Sequence, residues 1–124
     1  MVVYSAADLL WASKIKGVAE DLGVPCRPVR SVEMLESRLA DSEVRALILD
    51  LDAPERAWAL LEALDSREGG AEVARVRVLA FGPHVAKDLL QAARDRGADE
   101  VLTRGAFDHA LPEILLRLES GASR

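Results

Sequence analysis

Residues 46–54 read Ala46-Leu47-Ile48-Leu49-Asp50-Leu51-Asp52-Ala53-Pro54. An unbroken aliphatic run of this length, closed by carboxylates, has the pattern of a strand covered on both faces, and such a strand belongs at the centre of a parallel sheet. A helix start comes directly after it. Asp52 and Glu55 have the spacing of a capping box and Pro54 lies in the first turn, so a helix is predicted from there to about Asp65, with Ala57, Leu60, Leu61 and Leu64 facing inward.

Working outward, the same strand-then-helix unit recurs on both sides. Upstream, Val2 to Ser5 reads as a strand, followed by a helix with Trp11, Ile15, Val18 and Leu22 on one stripe and Gly23 as its stop. Val24 to Val29 is a weaker strand, and Pro28 confines it to a sheet edge. Ser31 can cap a short helix carrying Val32, Leu35 and Leu39. Downstream, Arg67 to Ala71, with Gly69-Gly70, reads as a loop, and Val76 to Phe81 as a fourth strand. Gly82-Pro83 opens a helix that turns Val85, Leu89 and Ala92 inward and stops at Gly97. Glu100 to Thr103 makes a fifth strand. A last helix carries Leu111, Ile114, Leu115 and Leu118, and Pro112 places its regular start within a turn before it, or a bend there. Five such units predict an α/β, doubly wound parallel sheet.

Composition narrows the function. The 124 residues are 50% hydrophobic and 4% aromatic, which suits one domain with an aliphatic core, here residues 1–119, and a flexible tail over 120–124. A net charge of -5 with interleaved signs offers no basic stripe for nucleic acid. No apolar run reaches the ~20 residues of a membrane helix, and the first residues lack a basic leader, so the cytoplasm is the expected location. Cys26 is the single cysteine, which excludes an internal disulfide and a multi-cysteine metal site; it reads as a small buried apolar residue.

In open parallel sheets ligands gather at the carboxyl ends of the strands. The loops there are Ser5-Ala6-Ala7-Asp8, Asp50-Leu51-Asp52, Gly82-Pro83-His84 and Thr103-Arg104-Gly105. Asp50, Asp52, Asp8, His84 and Arg104 are their chemically useful residues. Each acid and the histidine has a plain reading as well: Asp8 as a helix N-cap, Asp50 and Asp52 as strand-end or capping carboxylates, and His84 as a surface side chain. Trp11 fits core packing, and Trp58 a rim or contact position. The first loop has no glycine, no Gly-x-Gly-x-x-Gly or Walker pattern occurs, and Ser5 and His84 merely share an edge, all of which argue against an enzyme.

In length, element order and loop position the chain resembles the receiver domains of bacterial two-component response regulators. Leu47-Ile48-Leu49-Asp50-Leu51-Asp52-Ala53-Pro54 and Gly97-Ala98-Asp99-Glu100-Val101-Leu102 carry the resemblance. It implies a flavodoxin-like (βα)5 domain with strand order 2-1-3-4-5, and Asp50 in the place of the phosphoacceptor. Receivers hold a divalent cation with two adjacent acidic residues after the first strand, where this chain has Ser5-Ala6-Ala7. The weak candidates for a metal site are Asp8, Asp50 and Asp52. The receiver's switch hydroxyl corresponds to Gly82, its switch aromatic to Val101, its lysine to Arg104 and the following proline to Gly105. An arginine keeps the charge but presents a planar fork, and an Asp50–Arg104 ion pair is expected to hold the loops.

These departures point to a degenerate receiver, or pseudo-receiver. It would act by protein contacts without phosphorylation, need no cofactor and have no enzymatic activity. The resemblance implies a contact surface on the fourth helix, fifth strand and fifth helix. The expected partners are a signalling kinase or output protein, with a homodimer as an option. The alternative is a Mg²⁺-dependent phosphoacceptor modified on Asp50, and a third reading is a small-molecule-binding flavodoxin-like enzyme.

Overall fold

A computed structural model describes residues 1–66 and 75–121. The elements are β1 (Val2–Ser5), α1 (Leu9–Leu22), β2 (Cys26–Pro28), α2 (Val32–Asp41), β3 (Ala46–Asp50), α3 (Pro54–Asp65), β4 (Arg77–Gly82), α4 (Lys87–Asp95), β5 (Glu100–Thr103) and α5 (Arg104–Ser120). All pairings are parallel, and the strand order is β2-β1-β3-β4-β5. The aliphatic run 46–50 is therefore the middle strand, and Pro28 lies on the edge strand as its missing N–H requires. The register aligns Val2 with Ala46 and Ala46 with Arg77.

Strand alternation sorts the core into two layers. Val2, Tyr4, Ala46, Ile48, Leu79 and Phe81 face α1 and α5, where Ile15, Leu111, Ile114 and Leu115 cover them. Val3, Leu47, Leu49, Val78 and Ala80 face the other way, against Leu35 of α2, Leu60 of α3 and Leu90 of α4. On the first side Trp11 tilts against Phe81 and Phe107 at centroid distances of 5.1 and 5.7 Å, and the two phenylalanine rings stack at 4.1 Å. Cys26 is buried at the sheet edge, and burial pushes its thiol up to about 12, so it packs as an apolar residue.

Most predicted boundaries match. Asp8 and Ser31 cap α1 and α2 by accepting from the Trp11 and Met34 amides at 2.9 and 3.1 Å, and Gly23 ends α1 at φ +70°. Three expectations are corrected. Helix α3 begins at Pro54 with Ala53 as N-cap and no side-chain cap bond, so Asp52 and Glu55 form no capping box; the Asp52 carboxylate is engaged elsewhere. Helix α4 starts at Lys87, because Gly82 still belongs to β4 and a turn closed from the Ala86 amide to the Pro83 carbonyl intervenes. That delay rotates the helix, so Leu90 and Ala93 are buried in place of the expected Leu89 and Ala92, and Val85 is exposed. Helix α5 starts at Arg104, two turns ahead of Pro112, so of the two expectations the start within a turn before the proline is the one set aside; the helix runs through Ser120. The loop expected at Arg67 to Ala71, and the last residues of the tail, lie outside the described residues.

Candidate functional site

The carboxyl ends of β1, β3, β4 and β5 form one edge of the sheet, and the loops beyond them bring most of the sequence-predicted residues together. Asp50 ends the central strand and is only 1% exposed. Its carboxylate accepts two backbone N–H groups, from Ala7 to Oδ2 at 2.9 Å and from Asp52 to Oδ1 at 3.0 Å. Burial pushes the Asp50 carboxyl above its ordinary range. The two N–H bonds and the Arg104 charge pull it down, but desolvation outweighs them.

The expected Asp50–Arg104 ion pair is replaced by another. The Arg104 guanidinium reaches Asp52 and pairs with its Oδ2, while both Asp50 oxygens are held by main chain. The physical reason is access: Asp52, at the head of its loop, is 40% exposed, whereas Asp50 is sealed below it. Asp8 spends its Oδ1 on the α1 cap, and His84 sits exposed in the turn before α4. Val101 is half-buried against the α2–α4 layer. Ser5 is buried at the end of β1. Trp58 is half-buried on α3, with the Arg96 guanidinium 4.5 Å from its ring centroid.

Two residues that sequence reasoning missed shape the crevice. Leu51 is fully buried, and a Cβ added at Gly82 would lie 3.1 Å from the Leu51 Cβ and 3.4 Å from its Cδ1. A side chain at Gly82, the position that the resemblance matches to the receiver's switch hydroxyl, would therefore meet Leu51 at its first carbon. Arg56, in the first turn of α3, donates from Nη1 to the Ala6 carbonyl at 3.0 Å. One sequence signal could have singled it out: a basic residue in a first helical turn opposes the helix dipole and needs a tertiary partner.

The residues do not fit the divalent cation that the resemblance implies. The loop after β1 supplies a serine hydroxyl and two methyl groups, Asp8 is a cap, and Asp52 is neutralised by a guanidinium. Among the described residues no three His, Cys, Asp or Glu side chains come together as a set able to hold a metal ion.

No protein-family model matches the sequence, and no curated protein does. Solved structures do match. A signal receiver domain of a signal transduction histidine kinase from Syntrophus aciditrophicus is 21% identical, with a TM-score of 0.75 over 99% of this chain and 92% of that one. A CheY-like protein (TadZ) from Pseudomonas aeruginosa is 22% identical, with a TM-score of 0.70 over 94% and 97%. NtrX from Brucella abortus, solved in complex with ADP, is 17% identical with a TM-score of 0.73; 96% of this chain is covered, but it spans only 26% of that protein. With the order β2-β1-β3-β4-β5 and helices on both faces, this chain has the fold of the receiver domains, α/β and flavodoxin-like.

Proposed function

We propose that this chain is a pseudo-receiver: a signalling module of receiver fold that works through protein contacts and does not depend on phosphorylation. The observation that carries the reading is the close approach of Leu51 to Gly82: this position offers no hydroxyl to a transferred phosphoryl group, and a Cβ built there would already lie 3.1 Å from the Leu51 Cβ. The charge arrangement supports it as well, since phosphoryl oxygens gathered at Asp50 would need a cation that these loops are not built to hold. No cofactor and no catalytic turnover form part of this reading.

The fold neighbours supply the kind of partner. They include the receiver domain of a histidine kinase and a CheY-like protein, so a signalling kinase or an output protein in the cytoplasm is the proposed class. The proposed contact surface is the face made by α4, β5 and α5, where Val101, Leu102 and Thr103 are partly exposed and the outer row of α5 presents His109, Pro112, Glu113 and Leu116.

Intact-mass spectrometry after incubation with acetyl phosphate and Mg²⁺ tests the reading. The expected product is the unmodified chain. Stoichiometric addition of a phosphoryl group that disappears in Asp50→Asn would replace this reading by that of a Mg²⁺-dependent phosphoacceptor.

A further inference from the structure

The peptide unit between Ala6 and Ala7 is held at both ends. Its carbonyl accepts from Arg56 Nη1 at 3.0 Å and its N–H donates to Asp50 Oδ2 at 2.9 Å. The peptide is trans, so these two groups point in opposite directions. Its dipole therefore lies with the negative end on a guanidinium and the positive end on a carboxylate, and both hydrogen bonds are charge-assisted. From the other Asp50 oxygen the connection continues: Oδ1 accepts the Asp52 N–H at 3.0 Å, and the Asp52 carboxylate pairs with Arg104. A continuous polar path thus runs from Arg56 through peptide 6–7, Asp50 and Asp52 to Arg104. It ties α3, the loop after β1, the end of β3 and the start of α5 to one another.

Both cations stand where a helix disfavours them. Arg56 is the third residue of α3 and Arg104 the first of α5, and positive charge in a first turn opposes the macrodipole. The acceptors at the crevice offset that cost. Neither the Ala6 carbonyl nor the Asp52 carboxylate lies within the arginine's own helix, so the positions are explained by the crevice and not by helix stability.

We infer that Arg56 and Arg104 are built-in replacements for a divalent cation: as positioning residues they balance the charge of Asp50 and Asp52 through this path and fix the loops in one arrangement without metal. The inference rests on the phosphorylation-independent reading and adds to it the residues that make metal unnecessary. Their removal leaves the Asp52 carboxylate without its partner and Asp50 with its two main-chain N–H bonds as its counterweight, so negative charge at the crevice is unbalanced and a hard cation can take the arginines' place.

The wild type, Arg104→Gln and the double variant Arg56→Gln/Arg104→Gln are melted in millimolar Mg²⁺ and in NaCl of equal ionic strength. The Ala7 and Asp52 amide signals are followed by NMR during addition of Mn²⁺. Wild type is expected to melt at the same temperature in both salts, with both amides unbroadened. The double variant should melt ~3–8 °C lower, recover most of the loss in Mg²⁺ but not in NaCl, and show both amides broadened. If the double variant does not fold, Arg104→Gln alone is expected to respond to Mg²⁺ and Mn²⁺ in the same direction. Broadening of the wild-type amides, or a folded variant that Mg²⁺ leaves unchanged, overturns the inference. A wild type that is phosphorylated on Asp50 sinks the parent reading instead, and the two failures are told apart because one is read as mass and the other as melting and line width.

Discussion

Asp50 combines near-complete burial with two main-chain hydrogen bonds, and these effects act on its proton in opposite directions. Desolvation wins, so the folded protein holds the proton more tightly than the unfolded chain does. Its contribution to stability is therefore greatest in acid and falls as pH rises from the ordinary aspartate value of 3.8 through the raised folded value. Denaturant unfolding of wild type and Asp50→Asn across this acidic window checks the sign. The stability of wild type relative to the variant should decline with rising pH and then level off; a flat or rising difference contradicts the burial argument. At Gly82 the contact with Leu51 makes a second residue-scale case. Gly82→Thr overpacks the layer and should cost ~1–3 kcal/mol. Leu51→Ala leaves a cavity and should cost ~2–5 kcal/mol. The double variant should cost less than the sum, since each change relieves the other, and urea midpoints of the four proteins would show it.

Elements obey their local signals where the signal is local. Asp8 and Ser31 are readable as caps because an N-cap needs only a short polar side chain and the amide three residues on, and Asp8→Ala should lower stability by ~1 kcal/mol in thermal or urea unfolding. Gly23 is readable for the same reason; at φ +70°, Gly23→Ala should cost ~1 kcal/mol by the same measurement. Helix α3 marks the limit of local spacing. Asp52 and Glu55 are placed as in a capping box, but Arg104, 52 positions away in the chain, competes for the same carboxylate and takes it. Helix α4 departs for a different reason. A turn of four residues between Gly82 and Lys87 sets its phase, and with period 3.6 neighbouring positions lie about 100° apart, so Leu90 and Ala93 are buried while Leu89 and Ala92 fall to the half-buried flank.

Across the whole molecule the two layers are joined through the sheet, and one cluster holds the α1–α5 side together. Every aromatic residue except Trp58 lies in that layer, with Trp11, Phe81 and Phe107 bringing α1, β4 and α5 into mutual contact. Phe107→Ala should therefore cost ~3–5 kcal/mol in urea unfolding and alter the Trp11 fluorescence of the folded state.

By itself the sequence determined the five alternating units, the central place of residues 46–50, the edge place of Pro28 and the convergence of Asp50, Asp52, Asp8 and Arg104 on one side of the sheet. These come from periodicity, backbone chemistry and the handedness of crossovers, which act over a few residues or on the chain as a whole. The tertiary structure decided who touches whom there: Arg104 with Asp52 in place of Asp50, Arg56 with the Ala6 carbonyl, Leu51 over Gly82. Such pairings depend on differences of a few ångströms in depth and reach between side chains on separate elements, and no spacing along the chain encodes that distance.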